Sequence, residues 1–174
     1  MKNTDPPDAK KHPVKLTHDL SAFIESLGRY FENYGIPRIG GRILGLLLIA
    51  HAPLSAEVIS KLLKVSRGSV STNFRLLLAS GLAERITFAG DRTTYYTFPE
   101  NAWEKTINVE ISGITTMKRI IELGLKALPQ GDSATLRMNQ MIRWADFILD
   151  IWNKAAEQWR LEQARAPIEY SRVG

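Results

Sequence analysis

The sequence predicts a mainly α fold (α+β) with one small β element, and three observations carry that expectation. Apolar residues recur at three- and four-residue intervals over 17–34 and 133–164, the period of a helical face. Two shorter helical segments, 56–63 and 66–80, are separated by Lys64 and Val65 alone, and each has a serine, Ser55 or Ser66, placed ahead of it as an N-cap. Two segments rich in β-branched and aromatic residues, 82–88 and 93–98, follow at once, joined by Ala89-Gly90-Asp91-Arg92 as a hairpin loop.

Taken in order, residues 1–16 are polar and carry Pro6, Pro7 and Pro13, which predicts a disordered arm. They lack the apolar stretch of a signal peptide, so a cytoplasmic protein is expected. In 17–37, Leu20, Phe23, Ile24, Leu27, Tyr30, Phe31 and Tyr34 share one helical face, Gly35 stops the helix and Pro37 blocks its continuation. The next helix, 38–51, is apolar nearly all round and therefore expected to be buried. Its Gly40, Gly41 and Gly45 would each cost about 1 kcal/mol in an exposed helix, so their expected use is to let another helix approach closely. Val58, Ile59, Leu62 and Leu63 point inward from 56–63; Val70, Phe74, Leu77 and Leu78 do so from 66–80, which Gly81 ends. Asn101 and Glu104 form a capping box for a helix reaching about 127, residues 129–132 make a turn, and a long helix over 133–164 runs until Pro167. The expected organisation is an arm (1–16), an N-terminal helix (17–37), a central domain (38–100) and a helical region (101–174).

Composition removes several function classes. The 174 residues are 44% apolar, enough for a real core, and contain no cysteine. A disulfide framework, a thiolate zinc site and a cysteine nucleophile are thereby excluded. The longest apolar run, 43–50, falls well short of the roughly 18 residues that span a bilayer, so no membrane association is expected. His12, His18 and His51 are unclustered, no spacing suits a metal, and no phosphate-binding glycine signature is present. Neither an enzyme nor a bound metal or cofactor is expected. The net charge of +5 is unevenly placed: eight basic residues (Arg38, Arg42, Lys61, Lys64, Arg67, Arg75, Arg85, Arg92) face four acidic ones within 38–100, while the flanking regions are nearly balanced. A polyanionic partner is therefore sought in the middle of the chain.

Two short helices joined by a tight turn and followed by a hairpin form the layout of a winged helix-turn-helix with a two-stranded wing. With its apolar residues turned inward, segment 66–80 presents Ser69, Thr72, Arg75 and Leu76 outward, with Gly68 near the same side. Small polar residues let a helix approach base edges in the major groove, and an arginine offers guanine a bidentate fork. Arg67, Ser69 and Ser71, near the N-terminal end, suit phosphate contact. At the hairpin tip Gly90 permits a turn conformation closed to other residues. There Asp91 is expected to brace Arg92, which suits a narrow minor groove. The residues expected to contact double-stranded DNA are thus Arg67, Gly68, Ser69, Ser71, Thr72, Arg75, Gly90 and Arg92.

The stretch from Gly35 to Tyr96 resembles the GbsR branch of the MarR-type regulators. The matching motifs are Gly40-Gly41-Arg42-Ile43-Leu44-Gly45, Val65-Ser66-Arg67-Gly68-Ser69-Val70-Ser71, Ser80-Gly81-Leu82, and Gly90-Asp91-Arg92 with Tyr95-Tyr96. The resemblance covers about residues 20–100. It implies a dimeric winged-helix transcriptional regulator, usually a repressor, whose DNA binding is often modulated by a small molecule. It also implies that 66–80 is the recognition helix and Arg92 the wing arginine.

Independently of that resemblance, a homodimer is expected, because specific binding normally needs two half-sites about 34–36 Å apart. The helix over 133–164 carries an apolar stripe (Leu136, Ile142, Ala145, Ile148, Leu149, Trp152, Ala155, Ala156, Trp159) that is most simply buried against its own copy, with 17–34 as co-partner. Aromatic rings gather in the same flanking segments and can cage a quaternary ammonium by cation–π attraction. Tyr30, Tyr34, Trp103 and Trp144 are the candidate effector contacts, although packing in the core or dimer interface explains such rings more simply. The alternative function is a winged-helix protein-interaction adaptor without DNA binding. It would lack the steep salt dependence that follows from neutralising phosphates.

Overall fold

The computed structural model describes residues 14–129 and 131–165; most of the expected arm, and Pro167, lie outside them. The chain forms two compact units, 1–102 and 103–174.

In the first unit, α1 (His18–Glu32) begins at Thr17, whose hydroxyl accepts from the Leu20 N–H at 3.2 Å. It packs along α2 (Arg38–Ile49) with Ile24 and Gly28 buried in the seam. Glycines set this approach. A methyl group on Gly41 would stand 2.8 Å from the Gly28 Cα and 2.9 Å from the Leu27 carbonyl oxygen, both backbone atoms. The expected close approach is therefore present, and Gly28 is its second half. The apolar face read over 17–34 is divided: Ile24, Leu27 and Phe31 pack on the core, whereas Phe23, Tyr30 and Tyr34 are exposed.

Next come β1 (Leu54–Ser55), α3 (Ala56–Leu63), α4 (Arg67–Ala79), β2 (Glu84–Ile86) and β3 (Tyr95–Thr97). The Ser55 and Ser66 hydroxyls cap α3 and α4, accepting from Val58 N–H at 3.3 Å and Ser69 N–H at 3.1 Å. Between the helices Lys64 is left-handed (φ 53°). Ser60 braces the turn from both sides: its hydroxyl donates to the Val65 carbonyl at 2.6 Å, and its carbonyl accepts from the Val65 N–H at 3.1 Å. Gly81 (φ 73°) ends α4 as expected, and the Leu77 carbonyl accepts from Leu82 N–H.

The sheet corrects the expected hairpin in two respects. It has three antiparallel strands in the order β1-β3-β2, with Leu54 opposite Tyr96 and Arg85 opposite Tyr96. The wing is the two-stranded β2/β3 ribbon within it. The wing strands are also shorter than 82–88 and 93–98; Leu82 and Ala83, ahead of β2, are buried in the core and lie outside the ladder. The core joins Ile24 to Ile43, Leu44, Leu46, Leu47, Ile59, Leu63, Val70, Phe74 and Leu77.

The second unit is built from α5 (Ala102–Ala127) and α6 (Ala134–Arg165), tied together by an ion pair from Lys118 to Asp146. On α6 the expected stripe is partly covered, with Ala145 and Ala156 buried and Ile142, Ile148, Leu149 and Trp152 half-buried, while Leu136 is exposed. A second apolar band, Met141, Trp144, Phe147 and Ile151, faces outward. No helix among the described residues is long and apolar enough to cross a membrane.

Candidate nucleic-acid interface

Helix α4 has two contrasting sides. Val70, Asn73, Phe74 and Leu77 are buried against the body, and the side opposite them exposes Gly68, Ser71, Thr72, Arg75 and Leu76. This places Gly68, Ser71, Thr72 and Arg75 at helical neighbours, as the sequence leads one to expect. Ser69 is only half-exposed, because its hydroxyl lies 2.9 Å from the Ser66 hydroxyl in the cap. Arg67 is exposed at the first turn and pairs with Glu57 of α3 at 3.0 Å. Both side chains are more than half exposed, so the pair is weak and exchangeable for another anion. Arg75 has no ion-pair partner among the described residues.

The wing tip is ordered differently from the expectation that Asp91 braces Arg92. Asp91 instead accepts from the Thr93 N–H at 2.7 Å and from the Tyr95 hydroxyl at 2.8 Å. The carboxylate reaches its own backbone two residues on, an Asx-type turn. Those bonds, the Thr93 backbone foremost, hold the Asp91 carboxyl below its ordinary pKa. The Tyr95 hydroxyl is correspondingly pushed up by its bond to Asp91. Gly90 takes φ 81°, as the turn requires, and Arg92 is left exposed with no ion pair among the described residues.

Helix and wing are joined through the core. The Phe74 ring of α4 stacks on the Tyr96 ring of β3 with centroids 3.7 Å apart and planes 13° from parallel. Arg42 of α2 makes a second tie, among the helices that precede α4. Its guanidinium donates to the Leu63 carbonyl at the end of α3 (2.9 Å) and meets the Glu25 carboxylate of α1 at 2.6 Å, in a contact aligned as an ion pair rather than a linear hydrogen bond. Glu25 also accepts from Arg38 at 2.7 Å; that bond, with the charge of Arg42, lowers its pKa against the opposing effect of burial. Arg42 is thus a structural link between three helices. Sequence reasoning used it as charge and as part of the Gly40–Gly45 motif but not as a link, and a cation inside an otherwise apolar, glycine-rich helix was the available signal.

The candidate effector rings fall in both units. Tyr30 and Tyr34 lie together on α1 with centroids 4.9 Å apart, both exposed. Trp103 begins α5 and Trp144 lies on the outward band of α6, each about half exposed.

Comparison with known proteins agrees with this architecture. Residues 34–92 match the MarR family. The chain is 32% identical over 140 residues to the HTH-type transcriptional regulator MmpR5 of Mycobacterium tuberculosis, covering 80% of this chain and 84% of that protein. A crystal structure described as a transcriptional regulator superposes with a TM-score of 0.75 at 30% identity, covering 82% of this chain and 99% of that one. The GbsR branch is not distinguished by these matches. On the geometry of its helix-turn-helix and wing, and on these relationships, the chain belongs to the MarR family of DNA-binding transcriptional regulators, which are not enzymes.

Proposed function

We propose that this regulator is a homodimeric repressor whose α4 enters the major groove while the 89–92 tip of the wing lies at the adjacent minor groove. Gly68, Thr72 and Arg75 approach base edges; Arg67, Ser69 and Ser71 hold phosphates; Gly90 shapes the tip and Arg92 enters the minor groove. The observation that carries this reading is the outward side of α4, small and polar except for Leu76 and bearing the unpaired Arg75. The shared Phe74–Tyr96 stack supports helix and wing engaging a duplex as one body.

The exposed apolar band of α6, with Trp103, Val109, Ile120 and Leu123 of α5, supports a second copy as the partner of the helical unit. The exposed Tyr30–Tyr34 pair supports modulation by a small cationic molecule.

Fluorescence anisotropy across a salt series, on fragments tiling the DNA upstream of the protein's own gene, tests the reading. Fragment-selective binding with a steep salt slope is expected. The Arg75→Ala, Arg92→Ala double variant should lose most of it. Undiminished binding by that variant would discard these contacts. A folded dimer with no selective binding would favour the adaptor function instead. Adding choline to the wild-type complex reads out the effector: unchanged affinity removes the cationic class.

A further inference from the structure

Asn73 is the one polar side chain on the buried side of α4. It is 5% exposed, and its helical neighbours Val70, Phe74 and Leu77 are at most 1% exposed. Its amide nitrogen donates to the Ser69 carbonyl at 2.8 Å, one turn back toward the start of the helix. Its amide oxygen is fully buried and accepts no hydrogen bond. That oxygen is aimed at Gly40 of α2, where an added methyl would stand 2.9 Å from it.

An orphaned buried acceptor costs stability, and so does a glycine inside a buried helix. Two such residues meet face to face, where leucine at position 73 would match the surrounding core. The arrangement achieves two things that a better-packed pair would not. The bare face of Gly40 leaves room for the Asn73 amide to seat between α4 and α2, where a Cβ would collide with it. The bond to Ser69 ties the second turn of α4 back to the first, the stretch that bears Gly68, Ser69 and Thr72.

We propose that Asn73, seated on Gly40, is a positioning residue for sequence recognition, fixing the depth and rotation at which α4 is offered to DNA at the expense of fold stability. The proposal rests on the reading that α4 enters the major groove.

The test uses the full chain and a duplex selected on it from a randomised library, with a scrambled duplex of equal length as the non-specific probe. Asn73→Leu and the less bulky Asn73→Ala should unfold at the wild-type urea midpoint or above it. Both should bind the selected duplex about tenfold more weakly, equivalent to about 1.4 kcal/mol, with affinity for the scrambled duplex unchanged. Asn73→Ser keeps a hydroxyl able to bond the carbonyl four residues back and should regain part of the lost selectivity.

Wild-type selectivity in the leucine and alanine variants would overturn the proposal. So would a loss of affinity that merely follows a fall in the unfolding midpoint. Arg75→Ala is measured alongside. Should it bind as wild type does, the α4 contact that carries the major-groove reading is wrong and both readings fall. Should it lose selective binding while the position 73 variants keep theirs, only the positioning role falls.

Discussion

Gly41→Ala is the substitution whose outcome the packing of this protein most sharply constrains. The new methyl would lie 2.8 Å from the Gly28 Cα, 2.9 Å from the Leu27 carbonyl oxygen and 3.1 Å from the Phe31 Cβ. Carbon atoms rest at about 3.5–4.0 Å, so α1 must withdraw from α2 by about 0.5–1 Å, which forfeits a quarter to a half of the dispersion attraction across the seam. Two of the three clashing atoms are backbone, so no side-chain rotation can relieve them. Overpacking of this kind costs about 1–3 kcal/mol, and the rigidity of the neighbours puts this site at the upper end. Replacing a helical glycine returns about 1 kcal/mol. The net expectation is a loss of about 2 kcal/mol, or about 4–8 °C in Tm for a chain of this length. Urea unfolding at fixed protomer concentration measures it, since association would otherwise shift the midpoint. A variant as stable as wild type would refute the close α1–α2 approach, and with it the account of why Gly28 and Gly41 face each other.

Three further outcomes follow. Gly68→Ala meets nothing nearer than the Ser66 hydroxyl at 3.8 Å, so the same chemical change should raise stability by about 0.5–1 kcal/mol while the added methyl on the exposed side of α4 weakens selective DNA binding in the anisotropy assay. Glu25→Gln should lower the urea midpoint near neutral pH. Because the folded carboxyl titrates below its ordinary 4.5, the advantage of wild type is fully present above that value and disappears as pH falls through the lowered one, so midpoints measured from pH 7 to 3 should converge. Asp91→Ala releases the Thr93 and Tyr95 bonds at the exposed tip, and should reduce DNA affinity a few-fold with little change in Tm; a large fall in Tm would mean that the tip supports the core.

The helical periods, the capping serines and the turn glycines were all legible because each acts over a few residues. Ser55, Ser66, Gly81 and Gly90 occupy the conformations their chemistry favours. The outward side of α4 was legible for the same reason, since burying Val70, Phe74 and Leu77 leaves only one side for Thr72 and Arg75. The exposed band on α6 was missed because apolar residues there form two bands, and periodicity does not say which one its own chain covers. Strand β1 was missed because two residues are too few to show alternation; it exists because β3 offers it an open edge.

The sequence by itself determined the order and type of the elements, the helix-turn-helix with its wing, and the small, basic character of the outward side of α4, since local backbone preference and hydrophobic period suffice for these. Only the tertiary structure decided that Asp91 holds the Thr93 backbone and Tyr95 rather than Arg92, that Arg42 ties α1 to the end of α3, and that Asn73 is buried against Gly40. Each of those contacts depends on which atoms the folded chain brings within about 3 Å, and that distance is a property of the packed chain rather than of any segment within it.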